Sequence, residues 1–337
     1  MLKTRHKSYT KPLATSKNQH RDLKRTIHLI LILSLFISCK NELNIQSKYS
    51  DFETDLEARN LFGKVKEFSQ FRANIKSSEK KETEKSTINL KEVFTKNGSL
   101  KKSEYFDSFG KTQQTTENNY DEKGNLLKTI TLNHNYPKKM VEELIHSDSL
   151  NRMESRIITI NDTLNYQFIL NFDQFDNIKR QLKIENKDTM IVNFKYEYDS
   201  KKRLIKSEQL EKNNKSINEF KYNENGNVIE SIFTSDFFKF KTVKTYVNKR
   251  LSKIENYSIS KELKQELESI TEFDNYYNPI SKKTYQNSEL NRETKNEYEF
   301  DNNGNWIKKT VYLKEHFANS KKFIPIYIEN REIKYWK

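Results

Sequence analysis

The chain offers few side chains whose type and spacing could perform chemistry. Three histidines follow residue 38, and none stands at a metal-ligand spacing from another: His134, His146 and His316. Asp301, Asn303 and Asn305 resemble the start of a calcium-binding loop. A glycine stands at loop position four where that loop needs position six, and Tyr312 takes the place of the closing glutamate. The patterns therefore predict a non-enzymatic protein with no catalytic residue, metal site or cofactor.

Cys39, the only cysteine, stands where a modification is expected. A basic stretch precedes the apolar run 27–37, and Ser38 follows that run directly. A helix over this run would cross only about half of a ~30 Å hydrocarbon core. A short apolar run that ends in a small residue is typical of a cleaved secretory signal, and residues 35–39 (LFISC) resemble a lipobox. We therefore predict that residues 1–38 are removed and that a lipid on Cys39 anchors the chain to a membrane.

The net charge of the mature part is modest. The whole chain carries +14, and removal of residues 1–38 takes away eight basic residues and one acidic residue, which leaves +7. Lysines and glutamates are interspersed over the remaining residues, without an arginine-rich helix or a glycine-rich loop. Together with the export signal, this pattern argues against nucleic acid as a partner.

An internal repeat is the strongest pattern after residue 60. Aromatic residues, most of them followed by Asp, recur at positions 94, 106, 120, 146 (a histidine), 172, 198, 222, 246, 273 and 300. After two short steps of 12 and 14 residues, every step lies between 24 and 27 residues. The longer step fits two strands with two turns, and the shorter step fits one strand with one turn.

Eight of the ten repeats contain a glycine or an aspartate that suits a tight turn. A glycine stands four residues after the aromatic residue at Gly98, Gly110, Gly124, Gly226 and Gly304. That position requires positive φ in a type I turn closed by a bulge. An aspartate that can accept hydrogen bonds from turn amides directly follows the aromatic residue at Asp107, Asp121, Asp173, Asp199, Asp274 and Asp301.

Alternation before the turns indicates a sheet with one apolar face and one charged face. Phe194, Tyr196 and Tyr198 share one face, while Lys195 and Glu197 share the other. This pattern is typical of a half-buried antiparallel sheet. A membrane-spanning barrel is disfavoured, because it needs a continuous apolar row toward the lipid on every strand.

These units resemble YD repeats, the tyrosine-aspartate repeats of RHS proteins and of many lipoproteins of the Bacteroidota. The resemblance covers roughly residues 60–337, including Leu61-Phe62-Gly63-Lys64-Val65 and Arg331-Glu332-Ile333-Lys334-Tyr335. It implies an all-β, antiparallel meander of hairpin repeats. RHS shells are closed around a toxin, but the core motif and variable domain of those proteins are missing here. We therefore expect a curved, open or partly rolled sheet.

The chain divides into a signal peptide (1–38), a polar tether (39–59) and the repeat array (60–337). One stretch of the array, residues 255–270, is ambiguous. Ile259, Leu263, Leu267 and Ile270 have helical spacing there, whereas the repeat ladder requires two strands. We therefore predict two strands in this stretch.

The expected function follows from the anchor and the array. We expect a lipoprotein of the cell envelope, most simply at the outer membrane, that presents a repeat β surface to an unknown protein or glycan. Trp306 and Trp336 are least constrained by the repeat, so we place the candidate binding surface there. The alternative is a periplasmic accessory, carrier or immunity-type factor with an operon-encoded partner.

Overall fold

A computed structural model describes residues 54–77, 82–135, 138–146, 153–174, 177–185, 188–316 and 322–337. Cys39, residues 1–38 and most of the tether lie outside these ranges. Within the described residues, no helix is long and apolar enough to cross a membrane.

The described chain is almost entirely β-strand, preceded by one turn of 3-10 helix at Glu57–Arg59. The strands are β1 (Val65–Ser77), β2 (Glu82–Thr83), β3 (Thr87–Phe94), β4 (Leu100–Phe106), β5 (Thr112–Tyr120), β6 (Leu126–Asn133), β7 (Lys138–His146), β8 (Met153–Ile160), β9 (Thr163–Phe172), β10 (Ile178–Glu185), β11 (Asp188–Tyr198), β12 (Leu204–Glu211), β13 (Asn214–Tyr222), β14 (Val228–Ser235), β15 (Lys239–Val247), β16 (Arg250–Ile259), β17 (Gln265–Phe273), β18 (Pro279–Gln286), β19 (Glu289–Phe300), β20 (Trp306–Glu315) and β21 (Ile324–Tyr335).

The repeat ladder correctly predicts where the strands end. Nine of the ten repeat positions are the last residue of a strand, and Tyr246 is the last but one. The ambiguous stretch 255–270 forms the end of β16, a turn and the start of β17. Cross-strand pairing overrides the helical spacing there, because Asn256 pairs with Ser269 and Ile254 pairs with Thr271.

The sheet closes on itself, so the expected open or partly rolled sheet is wrong. Each strand from β3 to β21 pairs antiparallel with the next one, and β1 pairs with both β3 and β21. The closing pair runs from Val65 opposite Tyr335 to Asn74 opposite Tyr327. The result is a 20-strand barrel, with the two-residue β2 attached only to the end of β1. Closure pairs the backbone groups that two open edges would leave unsatisfied.

The segment that precedes β1 shows which face is inside. The amide of Leu100 at the start of β4 donates to Asp55 Oδ2 at 2.8 Å, and Asn60 Nδ2 donates to the carbonyl oxygen of Tyr277 before β18 at 2.8 Å. From β4 to β18 the sheet takes six steps of about 4.8 Å, an arc of roughly 29 Å. The backbone from Asp55 to Asn60 winds through the 3-10 turn and spans only about 10 Å. The sheet must therefore bend toward this segment.

The face on which this segment packs is consequently the inner face. Leu56 and Leu61 pack there with Val65, Phe68 and Phe94. Cross-strand pairing carries the same face around the ring to the repeat aromatics. A second apolar cluster on the inner face joins five consecutive strands through Leu126, Leu144, Met153, Leu170 and Ile178.

The outer face carries ion pairs between neighbouring strands. Exposed or half-exposed partners include Lys128–Glu143, Lys206–Glu197, Lys221–Glu230, Lys308–Glu299 and Lys334–Glu67. Each such pair contributes about 0–1 kcal/mol. The apolar and charged faces predicted from the alternation are thus the inner and outer faces of the barrel.

Candidate functional site

The repeat turns that contain an aspartate are all closed by the same kind of hydrogen bond. In each of them, Asp Oδ1 accepts the amide of the residue four positions later, at 2.8–2.9 Å for Asp107, Asp173, Asp199, Asp274 and Asp301 and at 2.7 Å for Asp121. The backbone amide of Lys111 holds the pKa of Asp107 below its usual range in this way. The five repeat glycines have φ between 79° and 89°. These residues therefore build turns, and their carboxylates are occupied by their own loops.

An asparagine five residues after the aromatic residue is a second turn element, to which the sequence reasoning assigned no role. It occurs at Asn125, Asn177, Asn227, Asn278 and Asn305. The Asn278 side-chain amide donates to Asp274 Oδ2 at 3.0 Å. Asn305 is fully buried. The repetition at a fixed spacing was the signal that could have identified it.

Asn305 ties the entering segment to the barrel. Its Oδ1 accepts the amide of Phe62 at 2.6 Å, and its Nδ2 donates to the carbonyl of Phe62 at 2.9 Å and to the Tyr335 hydroxyl at 2.7 Å. Residues 54–59, which the sequence assigned to the tether, thus belong to the folded part. We call the barrel end that carries this segment and the β5–β6, β11–β12 and β19–β20 turns the near rim, and the opposite end the far rim.

A group of buried charges lies on the inner face beside the closing strands. The Arg331 guanidinium lies 3.6 Å from the centre of the Trp306 ring and donates from Nε to Gln70 Oε1 at 3.1 Å. Burial lowers the pKa of Arg331 to about 9, although the nearby Glu329 opposes the shift. Lys309 in turn forms an ion pair with Glu329.

A second buried pair, between Arg59 and Glu92, fastens the 3-10 turn to β3. Burial lowers the pKa of Arg59, but the hydrogen bond and the charge of Glu92 outweigh it and leave that pKa raised. Arg59–Glu92 and Lys309–Glu329 therefore form buried ion pairs beside the closing strands, while Nη1 of Arg331 is buried without a hydrogen-bond partner among the described residues.

The structure separates the two tryptophans on which the sequence placed a binding surface. Trp306 is only 6% exposed and is covered by Arg331. Trp336 lies outside the last strand, with the amines of Lys66 and Lys96 5.0 and 5.7 Å from its ring centre. Trp306 therefore offers little ring surface to a ligand, and Trp336 remains as the more accessible ring.

Tyrosine hydroxyls recur along the inner face near the near rim. Each donates to the carbonyl of the first residue of a neighbouring strand: Tyr120 to Leu100, Tyr196 to Ile178, Tyr222 to Leu204, Tyr246 to Val228 and Tyr298 to Pro279. A bulge follows each of these first residues, as at Lys221/Tyr222 opposite Val228. The tyrosine hydroxyl thus gives a hydrogen-bond partner to a carbonyl at a bulge, where the backbone hydrogen bonds between the two strands are disrupted.

Five small polar residues form an in-register row across the middle of the inner face. We call them the polar ladder: Ser231, Thr242, Asn256, Ser269 and Thr284, on strands β14 to β18. Within the ladder, Thr242 Oγ1 donates to Asn256 Oδ1 at 2.9 Å and Asn256 Nδ2 donates to Ser269 Oγ at 3.2 Å. Hydroxyl and amide groups have more hydrogen-bonding capacity than these bonds use.

The described histidines contact single neighbours. His134 Nε2 lies 3.0 Å from Thr115 Oγ1, and His316 Nε2 lies 2.7 Å from Glu293 Oε1. The His146 side chain is outside the described part. Where the structure describes the chain, no group of three or more His, Cys, Asp or Glu side chains could hold a metal ion.

Comparisons with known proteins return distant structural likenesses. No protein-family model matches this sequence, and no curated protein sequence matches it either. A porin-like protein from Bacteroides uniformis is 10% identical over 80% of this chain and 96% of its own, with a TM-score of 0.33. The Photorhabdus luminescens Tc holotoxin pore and the TcdB2–TccC3 complex are 11% and 12% identical over 78% and 77% of this chain, with TM-scores of 0.21 and 0.22. The chain spans only 18% and 19% of those two toxin chains. TM-scores this low carry no argument about function.

Proposed function

We propose that the chain is a lipid-anchored protein of the cell envelope whose barrel binds a glycan on its inner face without catalysing a reaction. The location rests on the sequence, namely the basic stretch, the short apolar run and Cys39. Attachment would then be through the lipid, with the barrel wall outside the hydrocarbon core of the membrane.

The polar ladder is the observation that carries the ligand-binding part. It aligns four hydroxyl-bearing side chains with the side-chain amide of Asn256 on one wall. A sugar chain presents hydroxyl groups at regular spacing and is recognised by such donors and acceptors, together with aromatic faces. Twenty strands exceed the number at which barrels leave a wide interior, so a bulky hydrated ligand has space there.

The outer face supports a barrel that lies outside the hydrocarbon. A spanning barrel presents an apolar band about 25 Å tall to the lipid. Here the outer side chains near mid-strand include Glu208 of β12, which pairs with Lys206 and Lys215, and Lys295 of β19, which pairs with Glu297. Placing these charges in lipid would cost several kcal/mol.

Protease shaving of intact cells tests the location, with an epitope placed after Lys337 and Cys39→Ser as the control. We expect the wild-type chain in the membrane fraction and the control released from it. Loss of the epitope from intact cells would place the barrel outside the cell, and survival until the outer membrane is opened would place it in the periplasm. A cytoplasmic, unprocessed chain would refute the envelope assignment.

Binding of the detergent-extracted full chain to an oligosaccharide array tests the ligand. We expect binding to at least one saccharide class, and a drop of about tenfold or more in affinity when Thr242→Val, Asn256→Leu and Ser269→Ala are combined. The matched control combines Thr234→Val and Ser281→Ala on the outer face of β14 and β18. Equal loss in both variants, or no saccharide binding by the wild type, would refute the proposed ligand site.

A carrier or accessory factor is the second candidate, and barrel closure favours it. Because β1 pairs with β21, the sheet surrounds an interior in which a cargo could be carried. This candidate predicts a stoichiometric partner from the same operon that stays bound during purification, and the saccharide array would then show no binding.

A further inference from the structure

The far rim carries the most exposed apolar side chains of the described residues. Phe109, Phe237 and Leu263 are 90%, 75% and 74% exposed, and each stands in a loop of the far rim. These loops join β4 to β5, β14 to β15 and β16 to β17. A fourth far-rim loop, between β20 and β21, exposes Phe323 and Ile324. Among the near-rim residues that the structure describes, the most exposed large apolar side chain is Val247, at 56%.

The turns hold these side chains outward in fixed positions. The amide of Phe109 donates to Asp107 Oδ1 at 2.9 Å, and that of Phe237 donates to Ser235 Oγ at 3.4 Å. Leu263 has φ of 63°, a left-handed conformation that favours glycine. A large apolar residue at such a position costs free energy through its strained backbone and through the exposure of its side chain to water. Packing within the barrel does not explain why it is there.

The tips lie on one side of the ring and carry lysines. Going around the barrel from β14 through the closing β21–β1 pair to β5, all four loops fall within twelve of the twenty strands. Lys111, Lys239 and Lys322 stand within two residues of the aromatic tips, and Lys261 and Lys264 flank Leu263. Asp107, Asp236 and Glu262 also stand within two residues of the tips, so lysines outnumber the acidic residues there without excluding them. Apolar tips with an excess of basic side chains can insert into the headgroup region of a bilayer while the amines contact anionic lipids.

We propose that the far rim docks onto an anionic phospholipid bilayer through Phe109, Phe237, Leu263 and Phe323. The lipid on Cys39 is compatible with this orientation, a point that rests on the proposed acylation. The chain enters the barrel at the near rim, and strands of 7–13 residues make the wall about 24–44 Å long. The 15 residues from Cys39 to Thr54 can extend to roughly 50 Å, so the lipid can reach the plane of the far rim.

Site-specific fluorescence tests this orientation in the full chain. In a Cys39→Ser background, Phe237→Cys and Leu263→Cys each carry an environment-sensitive NBD label, and Val247→Cys on the near rim is the matched control. With vesicles of phosphatidylcholine and phosphatidylglycerol, we expect blue-shifted emission at 237 and 263, quenching there by spin-labelled acyl chains, and no change at 247. With phosphatidylcholine alone, the titration midpoint at 237 should rise about tenfold.

Two further measurements make the result decisive. Phe109→Ser combined with Phe323→Ser should raise the lipid concentration for half-maximal response at 237 by about tenfold, with an unchanged circular dichroism spectrum. Equal responses at 237 and 247, or no response at either, would overturn the proposal. A blue shift that depends on protein concentration without vesicles would also overturn it, because the tips would then meet a second copy of the chain. None of these readouts involves saccharide binding or export, so the proposal and the proposed function fail separately.

Discussion

Replacement of Asn305 by alanine should destabilise the barrel far more than the same change at an equivalent repeat position. Asn305 is fully buried and pairs both backbone groups of Phe62 as well as the Tyr335 hydroxyl. Asn305→Ala leaves the Phe62 amide and carbonyl without their partner, and an unsatisfied buried group costs about 1–3 kcal/mol. We therefore expect a loss of about 3 kcal/mol.

Asn125→Ala is the matched control. Asn125 occupies the same repeat position, but its side-chain amide donates only to Asp121 Oδ2, within its own turn. We expect a loss of about 1 kcal/mol for this change. At about 2–4 °C per kcal/mol, the melting temperature should fall by roughly 6–12 °C for Asn305→Ala and by roughly 2–4 °C for Asn125→Ala.

Thermal unfolding of the full chain followed by circular dichroism gives the two shifts, and hydrogen exchange locates them. The amide of Phe62 should lose protection in Asn305→Ala and keep it in Asn125→Ala. Equal melting temperatures for the two variants would show that residues 54–63 contribute nothing to barrel stability, and the reasoning would fail.

Three further predictions concern the same scaffold. Glu92→Gln removes the buried charge opposite Arg59 and should cost about 3 kcal/mol in urea unfolding; an unchanged midpoint would contradict a stabilising pair. Burial and a nearby carboxylate raise the pKa of Tyr198 to about 12. An unfolded tyrosine ionises near pH 10, so between about pH 10 and 12 the unfolded state binds fewer protons and the free energy of unfolding should fall. Absorbance titration should show the late ionisation of this hydroxyl, and Tyr198→Phe should lose stability less steeply than the wild type in alkaline unfolding. An identical fall in the two proteins would refute the shift. Gly98→Ala should lower the melting temperature more than Gly124→Ala, because both have positive φ but only the former places a methyl group 3.2 Å from a side-chain carbon of Leu56; the reverse order would contradict this packing.

The repeat pattern predicts local structure well because the residues that determine each turn lie next to one another in the sequence. The aromatic residue, the aspartate and the glycine specify a strand end and a turn without reference to distant residues. Even the helical spacing around Leu263 yields to the repeat, because cross-strand pairing with β16 decides that stretch. The same locality explains why the inner and outer faces could be assigned from alternation.

Closure could not be predicted from these patterns because it depends on residues far apart in the chain. The pairing of Phe68 with Ile333 and of Gln70 with Arg331 has no signature in either segment alone. The position of Trp306 is a further example. An irregular tryptophan suggests an exposed binding residue, but Arg331 from the neighbouring strand covers it. The polar ladder also escaped notice, because its members stand on five strands at unequal spacing.

The pairing of β1 with β21 has a consequence for biogenesis. During synthesis the first strand emerges long before its partner β21, so a sheet that forms at this stage has an unpaired edge at Val65–Ser77. A product truncated before Ile324 would keep two bare edges and would be open to pairing with other chains. Conversely, the amide of Trp336 donates to the Lys64 carbonyl at 2.8 Å, so the end of the last strand lies beside the start of the first. A circular permutant that keeps residues 54–337, links Lys337 to Thr54 by a flexible linker and begins in the exposed β18–β19 turn should assemble the same barrel.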